Sequence, residues 1–435
     1  MQFQPMEPNA ADPGSADSAL RGPAAIVLPR SSPDSLAGRL RRDRIRIMTL
    51  SAPARADRID YPSSAAFLAI HLACFAAFFT GVSLRAALLG IGLYVLRIFA
   101  IGAGYHRYFA HRAFRTSRAF QFILGFLAQT SAQRGVLWWA AHHRRHHKYS
   151  DTELDVHSPI LRSFLYAHVG WILVPRNDTT DHDAVRDLTQ YKELLWLDRH
   201  PYLAAASLAF MTWLVAGLPG LVVGFCWSTV AVWHATFSIN SLGHLIGRRR
   251  YVTGDHSRNN WLLALITMGE GWHNNHHAYQ ASVRQGFRWW EYDFTYYGLR
   301  VLSWLGLVWD LHAPPRAVVN REQRLGRAVI DRAARQLALS FPINTIANQA
   351  LDALSHAPGW AELKSRALSA RLQAETFWSE FDFPQIPSLE EMRAYAHARL
   401  AQTPSLDEIA IRARQRLLEL VYTRLVEVAS SESKA

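Results

Sequence analysis

The sequence predicts an all-α membrane protein: four transmembrane helices in two hairpins, with a cytoplasmic helical cap. Three observations carry that prediction. Apolar runs come in closely spaced pairs, histidines crowd the polar segments beside them, and charged residues make up only 19% of the 435, against a usual share of about 25%. The mean hydropathy of −0.05 conceals this segregation. An apolar share of 50% excludes a disordered or collagen-like chain. Two cysteines are too few for a disulfide scaffold. Cys74 and Cys226 sit in apolar runs, where buried, reduced thiols are expected.

Residues 1–60 read as a disordered leader rich in Pro, Ala and Arg. They lack the basic region followed by an apolar core that marks a secretory signal. Arg39 to Arg46 form a basic cluster, read as a solvated charge run, with attraction to anionic lipid as the alternative. The membrane domain is expected over 61–320, with spans at about 65–82, 86–104, 202–217 and 220–239. Arg97 interrupts the second span near its end, so its side chain is expected to snorkel toward the head groups. Only 83–85 separate the first pair of spans, and Leu218-Pro219 the second. Each hairpin then leaves and returns on one side, so 1–60, 105–200 and 241–435 share a face. The positive-inside rule makes that face cytoplasmic. Few lysines amid many Ala and Arg suggest a GC-rich bacterial genome, hence a multi-pass protein of a bacterial cytoplasmic membrane. Residues 321–435 read as a cytoplasmic helical extension of unknown role, with capping boxes at Ser388-Leu-Glu-Glu391 and Ser405-Leu-Asp-Glu408.

The 20 histidines hold the chemistry. His106 and His111 close the second span; His143, His146 and His147 form one group; His273, His276 and His277 form another; His244 follows the fourth span. Positions i, i+3 and i+4 share a helix face, so each triplet can present its imidazoles to one point or two neighbouring points. His106 and His111 are about 140° out of phase in a regular helix, so they converge only if the helix ends or bends between them. These nine imidazoles are more than one ion takes, which suggests two metals. The sequence offers no Glu-x-x-His pair of the kind that carboxylate-bridged di-iron bundles use, and all-nitrogen ligation suits Fe, Zn, Cu or Ni. At a membrane–cytoplasm boundary such a site can reach an acyl chain. An unactivated methylene has no acidic proton, so the chemistry there is oxidative, which favours iron with O2 over redox-silent zinc.

At these residues the sequence resembles the integral-membrane fatty acid desaturases, and most of all their Δ9 acyl-CoA and acyl-lipid branch. Three boxes, H-x4-H, H-x2-H-H and H-x2-H-H, are present with a further histidine after the fourth span. The flanking Gly104-Tyr-His-Arg, His146-His-Lys-Tyr-Ser-Asp151 and Gly269-Glu-Gly-Trp-His273 match as well, over about 61–311. The resemblance implies that His106, His111, His143, His146, His147, His244, His273, His276 and His277 ligate two iron ions (Fe2+). It implies that Asn240 holds a metal-bound water, and that Trp139, Thr236 and Phe237 line a bent acyl tunnel. The corresponding aromatic in the family is often Trp, so Phe237 is a departure. The implied reaction takes two vicinal hydrogens from a fatty acyl-CoA or acyl-lipid, uses O2 and leaves a cis double bond. Electrons come from an external donor of ferredoxin, rubredoxin or cytochrome b5 type.

Other readings stand beside this one. A membrane di-iron hydroxylase of alkyl chains or lipids would share the histidines. A non-catalytic, metal-containing lipid-binding protein is the reading from another class. The sequence pI near 9.9 raises nucleic-acid binding, but the basic residues are scattered and no binding motif is present, so no nucleic acid is expected. Arg107, Arg112, Arg144, Arg145 and Lys148 surround the boxes and suit either a phosphate head group or an acidic donor. His71 and His234 are expected to be hydrogen-bonded packing residues inside spans. His157 and His168 are expected at the surface or as caps.

Overall fold

The computed structural model describes residues 61–356, 377–378 and 386–432. The expected leader lies outside them. The chain is predominantly helical, its sheet a two-residue antiparallel ladder between β1 (Arg115–Thr116) and β2 (Val308–Trp309). Helix α1 spans Tyr61–Cys74, α2 Leu84–Ala110, α3 Arg118–Gln129, α4 Val136–Tyr149 and α5 Leu203–Leu245. Then come the short α6 (His273–Ala278) and α7 (Phe294–Trp304), and in the extension α8 (Arg327–Leu339), α9 (Ile343–Ser355), α10 (Leu389–Arg399) and α11 (Leu406–Glu432).

Helices α2 and α5 are long and apolar enough to cross a membrane; the apolar stretch Ser64–Thr80 is shorter. The hairpins arise from local chemistry. Ser83 caps α2, its hydroxyl accepting from Ala86 N at 3.2 Å. Helix α5 breaks at Ala216 and Gly217, the latter at φ +59°, a conformation that favours glycine. The two arms then pack on each other: a Cβ at Gly220 would collide with Thr212 O, and Ala205 clusters with Phe225 and Cys226. Helix α1 packs on the second arm, with Phe67 stacked on Trp233 at 5.0 Å and Trp227 Nε1 donating to Cys74 O. Gly90 lets α2 approach the same arm, since a Cβ there would lie 2.9 Å from Val223 O. Large apolar side chains such as Phe78 (85% exposed), Phe79 (93%) and Leu84 (75%) face outward. So wide an apolar surface marks membrane association. Both thiols are free.

Arg97 corrects the snorkelling expectation. It is wholly buried, and its guanidinium donates to Thr229 Oγ1 at 2.7 Å, to Ser228 Oγ and to Leu93 O. A buried charge this well bonded ties α2 to α5 instead of reaching for water.

The extension builds its own apolar cluster from α8, α9, α10 and α11, joined by Val252. Ser388 makes the expected capping box with Glu391. At Ser405 the hydroxyl instead accepts from Leu325 N at 3.0 Å.

Candidate metal centre

Helix α2 ends at Ala110, with His111 as its C-cap, and its last turns widen before that end. Residues Ile101–Ala110 form a π-helix, and His111 N donates to His106 O across five residues. That wider turn brings residues five apart onto one side, so both imidazoles face the same point.

Helix α4 presents the next three. Its N-cap, Gly135, has no side chain to offer, and Asp198 accepts from Leu137 N and Trp138 N at 3.0 Å each. That carboxylate occupies the space a Cβ on Gly135 would need. Helix α6 presents the last triplet and is pinned by its own asparagines. Asn274 Oδ1 accepts from Arg250 N and Tyr251 N at 2.7 and 2.8 Å, and Asn275 donates to Glu291 and Gln285 O.

The nine histidines gather into two adjoining clusters. His106, His111, His143, His147 and His276 form one; His146, His244, His273 and His277 form the other. Each helical triplet is therefore divided between two points. In the first cluster Nε2 atoms face one another: His276 to His147 at 2.8 Å, His143 to His111 and to His147 at 2.9 Å, and His106 to His276 at 3.0 Å. In the second, His244 Nε2 lies 3.1 Å from His273 Nε2. One N–H cannot serve several imidazoles at once. Two nitrogens bound at right angles to one ion at about 2.1 Å stand about 3.0 Å apart. The donor set and spacing therefore fit two metal ions.

Behind the imidazoles stands a layer of carboxylates. His146 Nδ1 meets Asp155 at 3.1 Å, His244 Nδ1 meets Asp151 at 2.9 Å, His277 Nδ1 meets Asp255 at 2.8 Å, and His106 Nδ1 meets Glu270. Such partners fix which ring nitrogen is free and make it a better ligand. Burial first, then neighbouring imidazoles, holds His111, His143, His147, His273 and His276 well below the usual histidine range. Burial thus favours the neutral form that a metal ligand needs. Burial opposes ionisation of Asp155 and Glu270, yet facing His146, and facing His106 and Arg107, brings each down to about 2. Asp151 and Asp255 lie below the ordinary carboxylate range for the same reason.

Sequence reasoning missed this layer. Glu270-Gly-Trp-His273 is one Glu-x-x-His spacing, but Glu270 points at Arg107 and His106 Nδ1, so it supports a ligand. His157 is no surface residue: it is buried against His146 and Trp171. His168 is half-buried and meets His234 Nδ1 at 3.0 Å and Ser241 Oγ at 3.0 Å. His71 and His234 pair at 3.1 Å, as packing residues do. Of the expected basic rim, Arg107 is buried between Glu270 and Asp293, and Arg112 and Arg144 share Asp187.

An apolar cavity runs from α1 to the first cluster. Phe67, Ile70, Trp138, Trp171 and Trp233 line it, with Trp139, Thr236, Phe237 and Asn240. His143 borders it, and Trp139 stacks on that ring at 4.9 Å. Gln133 Nε2 donates to Thr236 Oγ1 at 3.1 Å. All three expected tunnel residues and Asn240 are thus on one wall system that ends at an imidazole.

The sequence is similar to those of known proteins. The fatty acid desaturase family matches residues 81–303. The chain is 36% identical to an acyl-CoA 5-desaturase of Anemone leveillei over 60% of its own length and 82% of the relative's. It is 35% identical to an sn-1 stearoyl-lipid 9-desaturase of Synechocystis sp., covering 59% and 81%. It is 32% identical to a chloroplastic palmitoyl-monogalactosyldiacylglycerol delta-7 desaturase of Arabidopsis thaliana, covering 60% and 71%. With its clustered histidines and apolar cavity, the chain belongs to the fatty acid desaturase family and is an oxidoreductase.

Proposed function

We propose that this protein introduces a cis double bond into a fatty acyl chain, carried as an acyl-CoA or an acyl-lipid, and that the position is Δ9. The relatives are named for positions 5, 7 and 9; the choice of the last rests on the resemblance to the Δ9 branch. The observation that carries the reading is the apolar cavity bordered by His143. Two iron ions, one in each histidine cluster, would supply with O2 an oxidant strong enough for an unactivated methylene.

The chain's own residues then do the selecting. The aromatic walls at Trp139, Phe67 and Phe237 exclude water and hold one C–C bond near the clusters, which is control by proximity. Asn240 faces the cavity and is suited to hold a water beside the site. Asp151, Asp155, Asp255 and Glu270 keep four imidazoles oriented.

The same reading makes the two helical hairpins four membrane spans, with 61–320 the membrane domain and the histidines and both termini on the cytoplasmic side of a bacterial membrane. Residues 321–435 are a further cytoplasmic helical region.

Expression in a host that lacks the activity, followed by mass spectrometry of its fatty acids, tests the proposal. It predicts a new cis-Δ9 olefin that His146→Ala abolishes. A hydroxylated chain would assign the protein to the hydroxylases, and an unchanged profile from well-folded, iron-loaded protein would reject catalysis on acyl chains.

A further inference from the structure

The polar side of the metal centre has an opening of its own. A recess reaches His111 and His147 of the first cluster and is rimmed by Arg144, Lys148, Gln280 and Arg332. The apolar cavity borders His143 instead, so the two approaches share no lining residue. Arg332 belongs to α8, beyond residue 303, where the family match ends. Its Nη1 donates to Lys148 O at 3.4 Å, joining the extension to the helix that carries three imidazoles. Gln336, one turn on, donates to Gly254 O at 3.1 Å and fixes α8 over this face.

The rim is cationic. Lys148 is exposed, and among the described residues no carboxylate pairs with it or with Arg332. Arg112 and Arg144 share the single carboxylate of Asp187, so that trio keeps a net positive charge.

The proposed reaction needs such a face. Taking two hydrogens from adjacent methylenes releases two electrons and two protons. Reducing O2 to two waters consumes four of each. Two electrons and two protons must therefore arrive from outside, and an acyl chain fills the apolar approach. We propose that this recess, completed by Arg332 of the extension, is the docking surface for an acidic one-electron carrier protein, which delivers two electrons one at a time. The inference rests on the desaturase reading. A cationic rim steers and orients an acidic partner, raising its association rate by about 10- to 1000-fold at low salt.

Stopped-flow reduction of the iron-loaded full chain tests it, with an acidic plant-type ferredoxin, a rubredoxin and the methyl viologen radical as reductants. Arg332→Glu is expected to slow reduction by the two acidic proteins about tenfold or more, and Arg332→Lys to retain the rate. Methyl viologen reduction and iron content are expected to be unchanged. In the unaltered protein the ferredoxin rate falls as salt rises, and in Arg332→Glu that dependence is shallower. Four results overturn the docking surface: an unchanged ferredoxin rate in Arg332→Glu, equal slowing with all reductants, no reduction of the unaltered protein by either acidic carrier, or a change confined to the KM for acyl substrate. The last assigns these cations to a substrate phosphate. Olefin formation by the unaltered, methyl viologen-reduced protein with O2 judges the desaturase reading separately.

Discussion

His277 Nδ1 lies 2.8 Å from Asp255 Oδ2, with both side chains buried. The other nitrogen of that ring, Nε2, has no protein partner and faces the second histidine cluster. Asp255 is itself held by Ser257 N and by the hydroxyls of Ser257 and Thr253. Asp255→Asn is therefore expected to lower iron affinity by about 10- to 100-fold while leaving the fold intact. Competition with a chelator reads this directly; an unaltered affinity would remove the carboxylate layer from the metal's support.

The metal-free protein is expected to lose stability in acid. Burial, and then neighbouring imidazoles, holds His143, His147, His273 and His276 below the ordinary histidine value. The unfolded chain, with histidines near 6.5, then binds protons that the folded chain refuses. The contribution of these four imidazoles to stability therefore falls as pH drops from about 6.5 toward the folded values. Melting the chelated protein at pH 7.5 and 5.5 is expected to give a lower Tm at the acid value. A flat profile would mean these imidazoles are not buried as a neutral group.

Arg97→Met is expected to destabilise the α2–α5 contact by about 2–3 kcal/mol, the loss of charged hydrogen bonds offset in part by a similar volume. Ser228 and Thr229 keep backbone acceptors at Phe225 O. A thermal melt in detergent measures it, and an unchanged Tm would show that the buried guanidinium is not holding these helices together.

Phe237→Ala enlarges the apolar cavity on the wall it shares with Thr236. Chain-length preference is expected to move toward longer substrates, by about 10-fold or more in the ratio of two homologous chains, since each methylene in an apolar pocket is worth about 1–3 kcal/mol. Competition between two acyl chains in one assay checks it; an unchanged ratio would place Phe237 outside the selecting wall.

Much of the site was legible because it depends on short spacings. Three residues at i, i+3 and i+4 must share a helix face, and His143, His146 and His147 do. How a triplet divides between two clusters was not legible, because it depends on where His244 and α6 arrive from distant chain. The helix end between His106 and His111 was legible, but the π-helix that widens its last turns was not, and no residue in Ile101–Ala110 announces that. Asp255 lies 22 residues from His277, so its partnership exists only in the fold. Glu270 was within reach, three residues before His273, but its meaning depends on Arg107 turning inward. Apolar runs located the two long apolar helices, while the burial of Arg97 awaited hydroxyls from another helix.

Counting the iron bound by the purified full chain tests the central claim most directly. Nine histidines in two clusters predict two iron ions per chain. Zinc in place of iron, or a single ion, would contradict it.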